Sequence, residues 1–287
     1  MQIVNTVELP WQLIVPNTRG GDIFRKVIRS AEGGRHVSYD VRIERFGEGD
    51  RGYESIRHRH DFEQLRFAVS GSMDLGFATL NEGDIGYFPA NAYYGPQKCA
   101  GAIILIAQWG DRFIAKSDSD RAVAELADIG EFREGFYTSV DDAGNVIKKD
   151  PLNAIWEHVF GQPYVPQAPR YPQPILVTPA AFDWADLDDG VRARHLGVFT
   201  ENALSLAMVS WDKDAQLRTQ RDTSDSRPTF LFTTAGAFRV HDVEFGPLTG
   251  IWSEPGEDIA ITAAAGSELM MVRFPEPSSR ITLGLEN

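Results

Sequence analysis

Two histidines one residue apart, His58 and His60, are the residues of this sequence best placed to do metal chemistry. Alternate side chains of a β-strand project to the same face, so two imidazoles at this spacing can bind one metal ion together. The segment SIRHRH that contains them is predicted to be a strand. The pair alone is also compatible with two ordinary polar residues of a strand, and the surrounding sequence decides between these interpretations.

Short strands separated by turns surround the pair. Residues Val37–Phe46 alternate apolar and polar side chains in the manner of a half-buried strand. Further short apolar segments are separated by turn residues such as Ser70-Gly71, a spacing typical of an antiparallel sandwich or barrel. The 26 glycines and 16 prolines among 287 residues also favour brief strands over long helices. The fold class expected is mostly β.

Two strand-rich segments, 1–113 and 176–287, are predicted to flank a connecting module at 114–175. The flanking segments echo one another, because QLRFAVSGSMDLG lines up with TFLFTTAGAFRV, and this indicates an internal duplication.

The connecting module is predicted to be partly helical. N-cap residues precede a run with helical spacing, formed by Ala122, Val123, Leu126 and Ile129. A hairpin turn at Asp-Asp-Ala-Gly-Asn and a short helix around NAIWEHVF follow.

Two longer stretches place the histidine pair in context. GYESIRHRHDFEQLRFAVSG, from Gly52 to Gly71, resembles the first motif of the cupin superfamily, in which two histidines one residue apart are followed by a glutamate and a glycine. GDIGYFPANAYYGPQK, from Gly83 to Lys98, follows the frame of the second motif, with Pro89 in place. Together with the duplication, the resemblance implies two cupin-type antiparallel β-barrels of the jelly-roll kind, a bicupin.

The resemblance implies one divalent transition metal in the N-terminal barrel, with Fe ranked first and Zn, Ni or Mn as alternatives. Two ligand positions depart from the family, because Gln64 stands where it has glutamate and Tyr94 where it has histidine. The implied metal ligands are therefore His58, His60, Gln64 and Tyr94. Glutamine is a neutral ligand that leaves more positive charge on the metal, which favours anionic substrates.

Plainer interpretations exist for the two unusual positions. Gln64 could instead hydrogen-bond a buried histidine, and Glu63 is a rival carboxylate that should point outward if Gln64 points inward. Tyr94 could act as an acid or a hydrogen-bond donor rather than a ligand. Tyr93 or Gln97 could take its place after a small register shift.

Arg66 lies two residues after Gln64, hence on the same inward face, where a charge is costly unless it is paired. We assign Arg66 and Tyr94 as candidate catalytic residues, with Arg66 holding a substrate carboxylate or phenolate. The alternative, ranked slightly ahead, is an ion pair of Arg66 with Glu44 or Asp40.

Other polar and aromatic residues of the first segment have less specific roles. Gln108 is expected to face inward, with a core hydrogen bond as the plainer role. Tyr87, Phe67, Phe77 and Trp109 could line an aromatic pocket, although such residues also fill barrel cores.

The second barrel lacks an H-x-H pair, and alignment on Gly236 places Thr229 at the glutamate position. A structural role is therefore expected for it. The isolated histidines are expected in solvated or core positions, and they are His36, His158, His195 and His241.

The leading functional prediction is a metal-dependent bicupin enzyme acting on a small organic substrate, aromatic or anionic. A dioxygenase-like oxidoreductase ranks first. A Lewis-acid isomerase, cyclase or lyase with a non-redox metal ranks second. The third alternative is a non-catalytic small-ligand binding or regulatory cupin.

The composition limits the partners. A net charge of −13 disfavours nucleic acids and anionic membrane surfaces. The N-terminus carries no basic region before its apolar residues, and the lone Cys99 cannot form an internal disulfide. These features predict a cytoplasmic protein with a small-molecule substrate, and a homodimer is left open.

Overall fold

The computed structural model describes residues 1–14, 20–30, 38–47, 52–110, 114, 116–199, 203–219 and 227–275. The predicted mostly β, antiparallel fold class is confirmed. The strands of the first half of the chain are β1 (Gln2–Asn5), β2 (Gln12–Leu13), β3 (Ile23–Arg29), β4 (Ser38–Phe46), β5 (Tyr53–Ser55), β6 (Glu63–Ser70), β7 (Met73–Asp74), β8 (Thr79–Leu80), β9 (Ile85–Phe88), β10 (Gln97–Cys99), β11 (Ala102–Gly110), β12 (Gly130–Arg133), β13 (Phe136–Val140) and β14 (Val146–Lys149). Those of the second half are β15 (Ile175–Val177), β16 (Ala185–Asp188), β17 (Val191–Phe199), β18 (Leu204–Trp211), β19 (Ala215–Thr219), β20 (Thr229–Ala235), β21 (Phe238–Val240), β22 (Val243–Phe245), β23 (Thr249–Ser253), β24 (Ile259–Ala263) and β25 (Glu268–Arg273).

The first compact unit, Trp11–Val177, is a double-sheet sandwich. Its seven-stranded sheet has the order β15-β9-β6-β11-β4-β3-β2, and its four-stranded sheet has the order β5-β10-β7-β8. Apolar side chains of both sheets form one core, as Phe46 and Ile104 of the larger sheet and Met73 and Leu80 of the smaller one illustrate. Apart from the strands of the connecting module, the described strands of this unit form two separate hydrogen-bonded sheets of the jelly-roll kind.

The second unit, Met1–Pro10 with Thr178–Asn287, repeats this plan. Its sheets have the orders β1-β23-β20-β25-β18-β17-β16 and β19-β24-β21-β22, which match the first unit strand for strand. Gly71 and Gly236 occupy equivalent turns after β6 and β20, both with positive φ (72° and 91°), which a residue without a Cβ adopts freely. The predicted internal duplication is confirmed.

The unit boundaries differ from the segments 1–113, 114–175 and 176–287. Strand β1 pairs with β23, so the first ten residues group with the C-terminal unit. Strand β15 pairs with β9, so the first unit extends to Val177 and includes the connecting module. The reason is that an edge strand finds its ladder partner through space, far from its place in the sequence.

The connecting module contains helices α1 (Lys116–Ala127) and α2 (Pro151–Phe160) and the sheet β12-β13-β14. Asp150 caps α2 by accepting from the Leu152 amide, and Gly161 ends it in the left-handed conformation. The predicted helices and hairpin are confirmed, but α1 ends at Ala127 and leaves Ile129 exposed. Among the described residues, no helix is long and apolar enough to cross a membrane.

Candidate functional site

The two histidines lie in the loop between β5 and β6 rather than in a continuous strand. The strand ends at Ser55, and His58 then forms a two-bond bridge with Tyr94, in which each amide donates to the other residue's carbonyl (3.0 and 3.1 Å). The Asn91 amide donates to the His60 carbonyl (2.6 Å). The histidines are therefore positioned by backbone contacts with the loop after β9.

The imidazoles converge inside the first unit, as their spacing predicts. Their ring centroids are 5.1 Å apart, with an interplanar angle of 80°. Nδ1 of the buried His58 lies 2.8 Å from the Ile56 carbonyl oxygen. Because a carbonyl can only accept, Nδ1 carries the proton in the neutral ring and Nε2 presents a lone pair. His60 stacks on Phe62 at 4.6 Å.

Both histidines line a cavity of about 330 Å³ whose walls belong entirely to the first unit. This volume is at the lower end of the range for small-molecule sites. The charged wall residues are Arg25, Arg42, Arg59, Arg66, Lys116, Asp40, Glu44, Asp61 and Asp120, the two glutamines are Gln97 and Gln108, and the aromatic residues are Phe46, Tyr53, Phe62, Trp156 and Tyr164. Helices α1 and α2 supply part of the wall, so the predicted connector contributes to the site.

Arg66 faces the cavity and is 5% exposed. Its Nε and Nη2 donate to Gln64 Oε1 (3.2 and 3.1 Å), and Nη2 also donates to Tyr94 Oη (3.1 Å). The guanidinium carbon lies 4.5 Å from the ring centroid of Phe88 and 5.1 Å from that of Tyr94. Gln64 and Tyr94 are buried behind the guanidinium and are not among the residues that line the cavity.

The two nearby acids are paired with other arginines. Glu44 Oε1 accepts from Arg42 Nε (2.7 Å) and Arg25 Nη2 (2.6 Å), and Arg42 also contacts Asp40. The predicted ion pair of Arg66 with Glu44 or Asp40 is therefore wrong. Within the described part of the chain, no carboxylate forms an ion pair with Arg66.

The ion pairs around Arg42 keep two residues of the cavity wall, Arg42 and Glu44, in their charged forms. Burial by itself raises the pKa of Glu44, but the guanidinium groups of Arg42 and Arg25 outweigh it and lower the pKa to about 2. Burial disfavours the charged form of Arg42, and the attraction of Asp40 and Glu44 outweighs that effect and raises its pKa. Gln108 Oε1 accepts from Arg42 Nη1 (2.7 Å), the core hydrogen bond expected for it.

Of the three rival ligand residues, only Gln97 lines the cavity. Arg170 Nη1 lies 3.7 Å from Glu63 Oε1, and Glu63 does not line the cavity. Tyr93 is exposed beneath the guanidinium of Arg59. Gln97 does reach the cavity wall, where its Oε1 accepts from Ser55 Oγ (3.2 Å).

The predicted aromatic pocket is wrong in its members. Tyr87 pairs in register with Leu65, the neighbour of Gln64 and Arg66, so it lies on the opposite face of the sheet. Trp109 stacks with Tyr87 (6.4 Å) on that face. Phe67 shares that face, and Phe77 is 38% exposed. Both faces of this sheet are largely buried, so alternation alone did not show which face is the inner one.

Several residues of the cavity wall were not predicted from the sequence. Trp156 and Tyr164 belong to the module, and only the tertiary structure brings them to the cavity. The signal for Arg42 was present, because Asp40, Arg42 and Glu44 alternate along β4 and must share a face.

The three isolated histidines that the structure describes belong to no second metal-binding group. His158 pairs with Glu125 on the surface (2.5 Å), and His195 and His241 are exposed. His36 lies outside the described residues. In the second unit, Thr229 stands at the Gln64 position and Leu231 at the Arg66 position, within an apolar core.

Comparison with known proteins agrees on the fold. No protein-family model matches the sequence, and no curated protein matches it. A candidate dioxygenase from Nostoc punctiforme PCC 73102 superposes with a TM-score of 0.61 at 12% identity, over 98% of this chain and 84% of the other. Protein Ylba from E. coli gives 0.54 at 8% identity, over 97% and 92%. Oxalate decarboxylase from Bacillus subtilis gives 0.52 at 11% identity, over 96% and 76%.

These resemblances and the duplicated jelly-roll plan define the fold class as that of a two-domain cupin. Identities of 8–12% show the fold alone, so the chemistry must be argued from the residues of the cavity.

The four residues that the cupin resemblance assigns to a metal do not fit one as they are arranged. His58 and His60 suit a shared ion, but the described residues contain no group of three or more His, Cys, Asp or Glu able to hold a metal. The remaining oxygen atoms, on Gln64 and Tyr94, already accept from Arg66. A divalent ion bound to Gln64 Oε1 would lie within about 5 Å of a guanidinium nitrogen of Arg66. The repulsion between the two cations is about 7 kcal/mol at an effective dielectric constant of about 20.

Proposed function

We propose that the Trp11–Val177 unit binds a small organic anion in its cavity and transfers a proton to or from it. Arg66 supplies the positive charge, and His58 is the group that accepts the proton. The observation that carries the proposal is the guanidinium of Arg66, buried in the cavity wall with no carboxylate partner among the described residues.

The charge balance of the cavity favours an anion. A buried charge is costly unless an opposite charge compensates it. Arg66 donates to Gln64, to Tyr94 and to the Met73 sulfur, and all three acceptors are neutral. A carboxylate or phenolate in the cavity would supply the missing charge. The small volume and the aromatic walls favour a compact, flat organic body behind that group.

The state of His58 favours proton transfer. Because its Nδ1–H donates to the Ile56 carbonyl, Nε2 carries the lone pair that a general base uses. Tyr94, predicted as catalytic, contacts Arg66 and lies behind the cavity wall. We therefore assign Tyr94 a positioning role.

Calorimetric titration with benzoate and with its neutral isostere benzamide tests the binding step. Wild type should bind benzoate at least roughly tenfold more tightly, the equivalent of about 1.4 kcal/mol. Arg66→Met should bind the two alike, while the exposed Arg57→Met should behave as wild type. A wild type without preference for benzoate, or a preference retained in Arg66→Met, contradicts the proposal.

Exchange of deuterium from solvent into phenylpyruvate tests the chemical step. This probe carries a carboxylate for Arg66 and an acidic C–H beside a carbonyl group. Proton NMR should show faster exchange with wild type than with His58→Gln or without protein. Equal rates would reject proton transfer and leave an anion-binding protein, the non-catalytic alternative.

A metal-dependent cupin enzyme is the second candidate, and the convergence of His58 and His60 favours it. It includes the dioxygenase-like oxidoreductase and the Lewis-acid isomerase, cyclase or lyase. Metal analysis of the purified protein separates them: stoichiometric iron with phenylpyruvate-dependent oxygen uptake selects the oxygenase, and zinc, nickel or manganese without uptake selects the Lewis acid. Both outcomes require the metal to be lost in His60→Ala.

A further inference from the structure

We propose that the guanidinium of Arg66 is a built-in replacement for the metal ion of this site. The inference deepens the proposed function, because it identifies the source of the positive charge that an anion would meet. It also predicts that removal of the guanidinium turns the site into one for a divalent metal.

The hydrogen bonds of Arg66 carry the first step. One nitrogen, Nη2, bridges Gln64 Oε1 and Tyr94 Oη at 3.1 Å each, and Nε adds a second bond to Gln64 Oε1 (3.2 Å). These two oxygen atoms are the ones that the cupin resemblance assigns as third and fourth ligands. The cation therefore already has the acceptors that a metal ion would need.

The position of this cation is the second step. A guanidinium is a planar cation whose donors form a fixed fork, so it can hold two neighbouring oxygen acceptors at once. The rings of Phe88 and Tyr94 also hold it in place, at 4.5 and 5.1 Å. Gly86, which pairs in register with Arg66, leaves room for the Phe88 ring, because a Cβ there would lie 2.7 Å from the Phe88 Cε2 atom.

The second unit provides an internal comparison. Its sheet has the same strand order, and the residue at the Arg66 position is Leu231, packed in an apolar core. The fold therefore accommodates an apolar side chain at this point of the sheet. An arginine in the first unit is accordingly explained by the chemistry of its cavity, where the histidine pair is also found.

Titration of chelator-treated protein with Co²⁺ alone tests the inference through the visible absorption of the bound ion. Wild type should show no stoichiometric binding. The double variant Arg66→Met/Gln64→Glu, which removes the cation and adds a carboxylate, should bind one equivalent at least roughly 100-fold more tightly than wild type. Adding His60→Ala should abolish that binding.

Two controls use the same assay. The single variant Gln64→Glu should stay without bound Co²⁺, because Arg66 pairs with the new carboxylate. Arg57→Met should match wild type. The Co²⁺ titrations of wild type and of Gln64→Glu still test the inference if circular dichroism shows that the double variant does not fold.

Stoichiometric Co²⁺ binding by wild type that is lost in His60→Ala overturns the inference, as does a folded double variant with no gain in affinity. The benzoate preference is measured without metal, so the proposed function can fail or stand independently of this result.

Discussion

Protonation of Glu44 is expected to remove a defined part of the stability of the first unit in acid. Glu44 is 4% exposed, and its Oε1 accepts from Arg25 Nε (2.9 Å), Arg25 Nη2 (2.6 Å) and Arg42 Nε (2.7 Å). Burial favours the neutral carboxyl group, but the two guanidinium groups outweigh that effect and lower the pKa from 4.5 to about 2.

The size and sign of the effect follow from that shift. Each unit of pKa corresponds to about 1.4 kcal/mol, so ionised Glu44 contributes roughly 3 kcal/mol to the free energy of unfolding. Because the pKa is lower in the folded state, this contribution is complete above pH 4.5 and is lost as the pH falls towards about 2.

Urea unfolding of wild type and Glu44→Gln at pH 7, 4.5, 3 and 2 measures the effect. The variant should be less stable by roughly 3 kcal/mol at pH 7, and the difference should close as the pH falls. Glu54→Gln is the matched control, because Glu54 pairs with Lys98 on the surface, where a salt bridge contributes little.

A difference between wild type and Glu44→Gln that stays constant with pH would refute the reasoning. It would mean that the charge of Glu44 is not held by Arg25 and Arg42. Glu44 would then be available to Arg66, and the cavity would contain no uncompensated cation.

Three further results are expected. Gly86→Ala should weaken benzoate binding about tenfold in calorimetry, because its Cβ displaces the Phe88 ring that supports the cation; unchanged affinity would count against that support. Cys99 should react slowly with a thiol reagent at pH 8 until urea unfolds the protein, because burial raises its pKa to about 12; rapid reaction of folded protein would show otherwise. Tyr94→Phe should lower the free energy of unfolding by about 1–3 kcal/mol, since an Arg66 donor loses its acceptor; unchanged stability would reject that bond.

Much of the fold could be predicted from local patterns. Alternation along β4 and the turn after β6 were visible in the sequence, and so was the helical spacing of α1. The pairing of β1 with β23 was not, because nothing in the residues Gln2–Asn5 indicates a partner so distant along the chain.

The site was predicted in part. His58 and His60 lie close together as predicted, but loop contacts position them, and not the strand geometry on which the prediction was based. The roles of Gln64 and Tyr94 could not be predicted, because they depend on a neighbour, Arg66, whose own partners were unknown. The metal ligation assigned to these residues stays a prediction, and the Co²⁺ titration tests it.

Local sequence determined which side chains share a face of each strand, because the period of a strand is two residues and needs no partner to define it. Only the tertiary structure decided which face is the inner one and which charges meet there. Strands β3, β4 and β6 bring three arginines and two carboxylates to one cavity. Their register pairs Glu44 with Arg25 and Arg42, and it pairs Asp40 with Arg42. Arg66 faces the cavity, and no described carboxylate forms an ion pair with it, because charge pairing acts over a few ångströms of space, whatever the distance along the chain.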